Sequence, residues 1–252
     1  MLIGLSLTLA LLIFISCGDK GSKSIITSFG FGLLLIMYLK LISSGISPYV
    51  STVIVVALQL ALILFFQNER SLETYIAFSA VIITLIVLLP LAFYFTSSGA
   101  IEGFNPLEYE ITDSNGYTRN VNLNMTAIEV SVLIIALIGA TVDSSIATTS
   151  SILEIFSHCD NLSWSEGISI GKTVGGSILS TSIHTVFYIY VAEYLTLFIE
   201  YADSFSFSAV INSKAFAQGF LSMAIVSLGC SAVIPISAFL CLFYMRQNKR
   251  QS

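Results

Sequence analysis

Charge is scarce in this chain. Of 252 residues only 10% are Asp, Glu, Lys or Arg, against about 25% in an ordinary soluble domain, which excludes a soluble globule of this size. Basic residues are scarcer still. Ten Lys and Arg against 15 Asp and Glu leave a net charge of −5 and a pI of about 4.9, and that excludes a basic nucleic-acid binder. A disordered chain is excluded as well, because 56% of the residues are hydrophobic and disorder needs low hydrophobicity. The four cysteines form no CxxC pair and no metal-ligand spacing, and Cys17, Cys230 and Cys241 lie inside apolar runs. No metal site and no cofactor are expected. No Lys or Arg precedes Lys20, so the positively charged start of a secretory signal is missing. The stretch Leu12-Ile13-Phe14-Ile15-Ser16-Cys17, which has the look of a lipoprotein cleavage site, is read instead as membrane segment. Also missing are an HExxH zinc helix, a GxSxG elbow and a GxxxxGK[ST] phosphate loop, so no enzyme is expected.

What the chain has in quantity is apolar sequence. A bilayer core of about 30 Å takes about 20 apolar residues of helix. Seven runs approach or exceed that, at 1–17, 25–42, 47–66, 74–95, 126–147, 168–199 and 215–245. The expected fold class is all-α, a polytopic membrane bundle of about seven transmembrane helices in contact with the lipid bilayer. Lys20, Lys23, Arg70, Arg246, Lys249 and Arg250 fall on one side of such a chain. Because Lys and Arg in short loops stay in the cytoplasm, the N-terminus is expected outside and the C-terminus inside. Residues 1–95 read as a four-helix scaffold, 96–125 as an extracytoplasmic loop, 126–245 as a three-helix core and 246–252 as a basic cytoplasmic tail. In the loop, Asn115-Gly116 suits a tight β-hairpin turn between Tyr109-Glu110-Ile111-Thr112 and Tyr117-Thr118-Arg119-Asn120-Val121, with a mobile acidic loop as the alternative.

Polar residues collect in the fifth and sixth runs. Groups of this kind are costly in lipid and usually face a bundle interior or a water-filled cavity. Gly139, Asp143, Ala147, Ser150 and Glu154 recur every three or four residues, which puts them on one helical face. Thr173, Ser177, Ser180 and His184 do the same in the sixth run, with Lys172 and Thr181 beside them. Antiparallel packing of the two runs is expected to bring Asp143 near Lys172, since a paired charge costs less in low dielectric than two isolated ones. Two simpler readings stay open: Asp143 as a carboxylate reaching the headgroups, and the hydroxyl stripe as packing in which Ser and Thr bond their own helix. Gly171 and Gly175 form a GxxxG unit that admits close backbone approach, with Gly176 next to it; Gly229 and Pro235 mark the seventh run for packing and a kink.

The run from Gly139 through Asp143 to Ala147, followed by Ser165-Glu166-Gly167-Ile168-Ser169-Ile170-Gly171-Lys172-Thr173-Val174-Gly175-Gly176-Ser177, resembles the YibE/F family of multipass bacterial membrane proteins. The resemblance covers roughly 136–244, and the earlier part agrees in hydropathy only. In the family the second motif reads like Ile-Gly-Arg-Asp-Ile-Met-Gly-Thr. Lys172 thus stands for the arginine, Thr173 for the aspartate and Ser180 for a later asparagine, while Asp143 is retained. Replacing Arg by Lys loses a planar bidentate fork, and replacing Asp by Thr removes an intramembrane charge. The resemblance implies the bacterial cell membrane, the shorter of two related types, and a hetero-oligomer with a longer YibE/F-type sibling.

Two functions compete. In one the chain is a transporter or permease component for a small molecule or ion of unknown identity, with a polar path along the last three runs closed by Asp143 and Lys172. Transport sites are commonly built by concentrating polar groups on a few helices. In the other it is a membrane assembly subunit that binds a partner through its small-residue faces and carries no substrate.

Overall fold

The structure, a computed structural model, describes residues 1–67, 71–99, 124–158, 164–204 and 206–248. Among them it is helical, with no strand. The elements are α1 (Leu2–Ser43), α2 (Pro48–Ala61) with a π-helical extension (Leu62–Gln67), α3 (Leu72–Gly99), α4 (Met125–Ser157), α5 (Trp164–Ser204), α6 (Phe207–Ile211) and α7 (Lys214–Asn248). Five stretches are long and apolar enough to cross a membrane: Gly4–Ser43, Leu72–Gly99, Met125–Ser157, Ser165–Thr196 and Lys214–Arg246. The hairpin expected at 109–121 lies outside the described residues.

The first two apolar runs share α1, so Lys20 and Lys23, expected in a loop, are helical. A straight helix of 42 residues would run about 63 Å, some twice the bilayer core. Gly18 interrupts it with φ 54° and ψ −129°, a left-handed φ that a side chain disfavours. The break is sharp. A Cβ on Gly21 would come within 2.5 Å of the Ile13 carbonyl oxygen, although eight residues of straight helix span about 12 Å. α1 then ends in a Schellman turn: Gly45 at φ 85° donates to the Ile42 carbonyl and Ile46 to that of Leu41. Pro48 restarts the chain at the first turn of α2, where its missing N–H costs nothing.

By its internal contacts the chain divides into two units, 1–78 and 79–252, with the division inside α3. In the first, α1 packs on α2 and on the π-helical turn, with Tyr38, Val55 and Leu60 buried. In the second, Ala92 of α3, Leu133 of α4 and Ile225 of α7 form a buried cluster against Leu221. α7 packs most extensively on α4, and almost as much on α5. Asn124 caps α4 by accepting from the Ala127 N–H at 3.1 Å, and Ser213 does the same at the start of α7 for the Phe216 N–H. Each cap satisfies a donor that the first turn leaves without a helical partner.

Candidate functional site

Side-chain contacts fix the register of α4, α5 and α7. Gln218 donates to Glu129 at 2.6 Å, the Cys230 thiol donates to the Ala140 carbonyl at 3.7 Å, and the Ser145 and Ser237 hydroxyls meet at 2.8 Å. Partner separations of 89, 90 and 92 residues hardly change along the helices, so α4 and α7 run parallel. α5 runs antiparallel to both. Ser182 meets Ser144 of α4 at 3.0 Å, and successive α5 glycines descend α7: Gly167 faces Leu242, Gly171 faces Ala238 and Gly175 faces Ile234. Glycine admits α7 at these crossings because an added Cβ would lie 2.5 to 3.2 Å from its side chains. Gly229 does the same for α4, facing Leu137 and Thr141. Toward the start of α7 aromatic rings take over from glycine. Tyr190, Tyr194 and Phe198 of α5 continue through Phe216 to Phe220.

Between these three helices lies a cavity of about 560 Å³ that is open on one side, within the range of small-molecule sites. Its wall on α4 is Glu129, Val132, Ala136, Ala140 and Asp143, spaced as one helical face. α5 contributes Thr181, Ser182, Thr185 and Val186, then Tyr190, Glu193 and Tyr194; α7 adds Gln218, Ser222, Met223 and Val226. Three carboxylates line the cavity, and among the described residues no Lys, Arg or His does. Glu129 is 5% exposed and takes the Gln218 hydrogen bond. Asp143 has no hydrogen bond or ion pair among the described residues.

Asp143 stands on the cavity wall, but Lys172 does not meet it. The Ser144–Ser182 contact holds Asp143 level with Ser182, and ten residues of α5 place Lys172 about 15 Å further along the axis. Lys172, Thr173, Ser177, Ser180 and His184 are all exposed; the Thr173, Ser177, Ser180 and His184 stripe is turned away from α4 and α7, with Lys172 beside it. Their periodicity showed that they share a face, but periodicity is silent on which face is inward. Gly139 and Gly176 likewise face open space, with nothing within 4 Å of an added Cβ. Pro235 lies inside α7, where it has no N–H for the Ser231 carbonyl. Sequence reasoning missed Glu129, Glu193, Gln218 and Tyr190. The signal for two of them was present, because Glu129 and Glu193 are carboxylates inside the apolar runs 126–147 and 168–199.

Long apolar helices, hydroxyls turned inward on α4 and carboxylates around a cavity between helices define a polytopic all-α membrane protein. The chain belongs to the YibE/F family: the family model described as YibE/F-like protein matches residues 5–247. The relationship therefore extends through α1, α2 and α3, well beyond 136–244. No curated protein and no solved structure matches the chain.

Proposed function

We propose that this chain is a transporter or permease component of the bacterial cell membrane, with the cavity between α4, α5 and α7 as its solute path. The observation that carries this reading is the cavity itself, apolar over much of its wall and bearing Glu129, Asp143 and Glu193. Carboxylates at membrane depth are costly and mark substrate or ion pathways. The path proposed here runs along the inner face of α5, not along the Thr173 to His184 stripe.

Cysteine accessibility tests it in a background lacking Cys17, Cys159, Cys230 and Cys241. Ala140→Cys, Val186→Cys and Met223→Cys on the cavity wall are expected to react with a membrane-impermeant thiol reagent added to either side of sealed vesicles. Buried controls at Ile152 and Val233 are expected to stay unmodified. Absence of reaction at all three cavity positions overturns the path. With the N-terminus outside and the C-terminus inside, a cysteine after Arg250 reacts only from the cytoplasmic side.

A second reading, an assembly subunit bound to a longer YibE/F-type sibling, is favoured by the outward stripe of α5. The most apolar window of α5 has a mean hydropathy of 1.2 and is only 11% buried, so its hydroxyls, Lys172 and His184 meet lipid unless another protein covers them. Under this reading Ser177→Cys and Ser180→Cys stay unreactive until the complex is taken apart.

A further inference from the structure

The arrangement of charge along the cavity is more informative than its sign. Glu129 and Asp143 stand on the same face of α4, and fourteen residues of helix separate them by about 21 Å. Glu193 belongs to the Glu129 end. Gln218 binds Glu129, and the adjacent Gly219 lies against the rings of Tyr190 and Tyr194, one turn and one residue from Glu193 on α5. Between the two ends the wall is Val132, Ala136, Ala140, Val186, Ile189 and Val226. The site is thus a slot with carboxylates at both ends and an aliphatic middle.

A metal ion does not suit this geometry, because among the described residues no three His, Cys, Asp or Glu side chains converge on one point. An anion would meet like charge at either end. The Glu129 end offers more than charge. Tyr190 is 8% exposed and lies on the cavity wall, and its hydroxyl has no hydrogen-bond partner. Its ring and that of Tyr194 lie 5.1 Å apart. A phenol oxygen accepts from an ammonium N–H, and aromatic faces attract cations. At the other end Asp143 has Thr181, Ser182 and Thr185 around it on the cavity wall.

We infer that the cavity binds an elongated aliphatic cation with ammonium groups at both ends, of the linear terminal-diamine kind, one end at Asp143 and the other at Glu129, Glu193 and Tyr190. The inference rests on the same cavity as the transport reading but does not require movement across the membrane. Each ammonium neutralises carboxylate in a medium where an unpaired charge is expensive, and the methylene chain lies on the apolar middle.

The test is calorimetric titration of the full chain in nanodiscs with 1,12-diaminododecane, with butylamine and with a linear dicarboxylate. Two linked sites exceed one by large factors, so the diamine is expected to bind about a hundredfold more tightly than butylamine, and the dicarboxylate not at all. Asp143→Asn is expected to remove most of the diamine advantage, with butylamine unchanged; Ser177→Ala, on the outward face, leaves both as they were. If Asp143→Asn does not give a folded chain, Glu193→Gln at an exposed position makes the same comparison. Diamine binding no better than butylamine, dicarboxylate binding equally well, or carboxylate variants without effect overturns the inference. Cavity cysteines reactive from both sides with no diamine advantage remove this inference and leave the conduit. A diamine advantage with reaction from one side only leaves the ligand and removes the conduit.

Discussion

Helices α4 and α5 carry similar loads of serine and threonine, but α4 turns most of its own inward while α5 leaves a stripe of them facing outward. On α4 the hydroxyls of Ser131, Thr141, Ser144, Ser145, Thr148 and Thr149 are all buried, in a helix half buried over its most apolar window, whose mean hydropathy is 2.2. On α5 Thr173, Ser177 and Ser180 are exposed. Hydroxyls in each environment bond their own helix. Thr148 donates to the Ser144 carbonyl at 2.7 Å inside the protein, and Thr173 to the Ser169 carbonyl at 3.0 Å outside it. Because a self-satisfied hydroxyl is cheap in either setting, glycine decides which face packs. The α5 face bearing Gly167, Gly171 and Gly175 meets α7, and the hydroxyl stripe is left facing outward.

The strongest way to break that comparison is to fill a crossing. Gly229→Val puts branched carbons against Leu137 and Thr141, and overpacking of this kind costs about 1–3 kcal/mol. Gly176→Val, with nothing within 4 Å, is expected to stay within about 0.5 kcal/mol of the parent. Unfolding in detergent measures both, and equal losses would show that glycine does not set the inward face. A smaller effect is expected where α4 hydroxyls bridge helices. Ser145→Ala and Ser237→Ala each remove a bond between two buried hydroxyls and should lose about 1 kcal/mol, with the double variant well short of the sum. Full additivity would show that the two hydroxyls do not depend on each other. The smallest effect concerns Asp143 and Lys172. Since Lys172 of α5 stands about 15 Å along the axis from the level of Asp143 on α4, Asp143→Asn and Lys172→Met should add to within about 0.5 kcal/mol. A coupling above about 1 kcal/mol would restore the pair that antiparallel packing alone suggests.

Much of the architecture was legible without coordinates. Hydropathy is a property of composition over about 20 residues, so the all-α membrane class and most helix positions follow from the apolar runs. The Gly139 to Ser177 motifs likewise led to the family that the match over 5–247 establishes. The continuous α1 was less legible, because Lys20, Gly21 and Lys23 look like a loop and nothing local shows that Gly18 alone takes up the bend.

The site divides in the same way. Asp143 stood out because a carboxylate in an apolar run is costly wherever it points, and the same signal applies to Glu129 and Glu193. The Asp143 to Lys172 pair did not survive because antiparallel packing fixes direction but not offset, and the offset is set by long-range contacts such as Ser144 with Ser182 and Glu129 with Gln218. The sequence by itself determined which residues share a helix and a face, since periodicity is a local consequence of 3.6 residues per turn. Only the tertiary structure decided which face turns inward and which residues of different helices stand level. Those depend on where side chains of separate helices interlock, 38 and 89 residues apart in the chain.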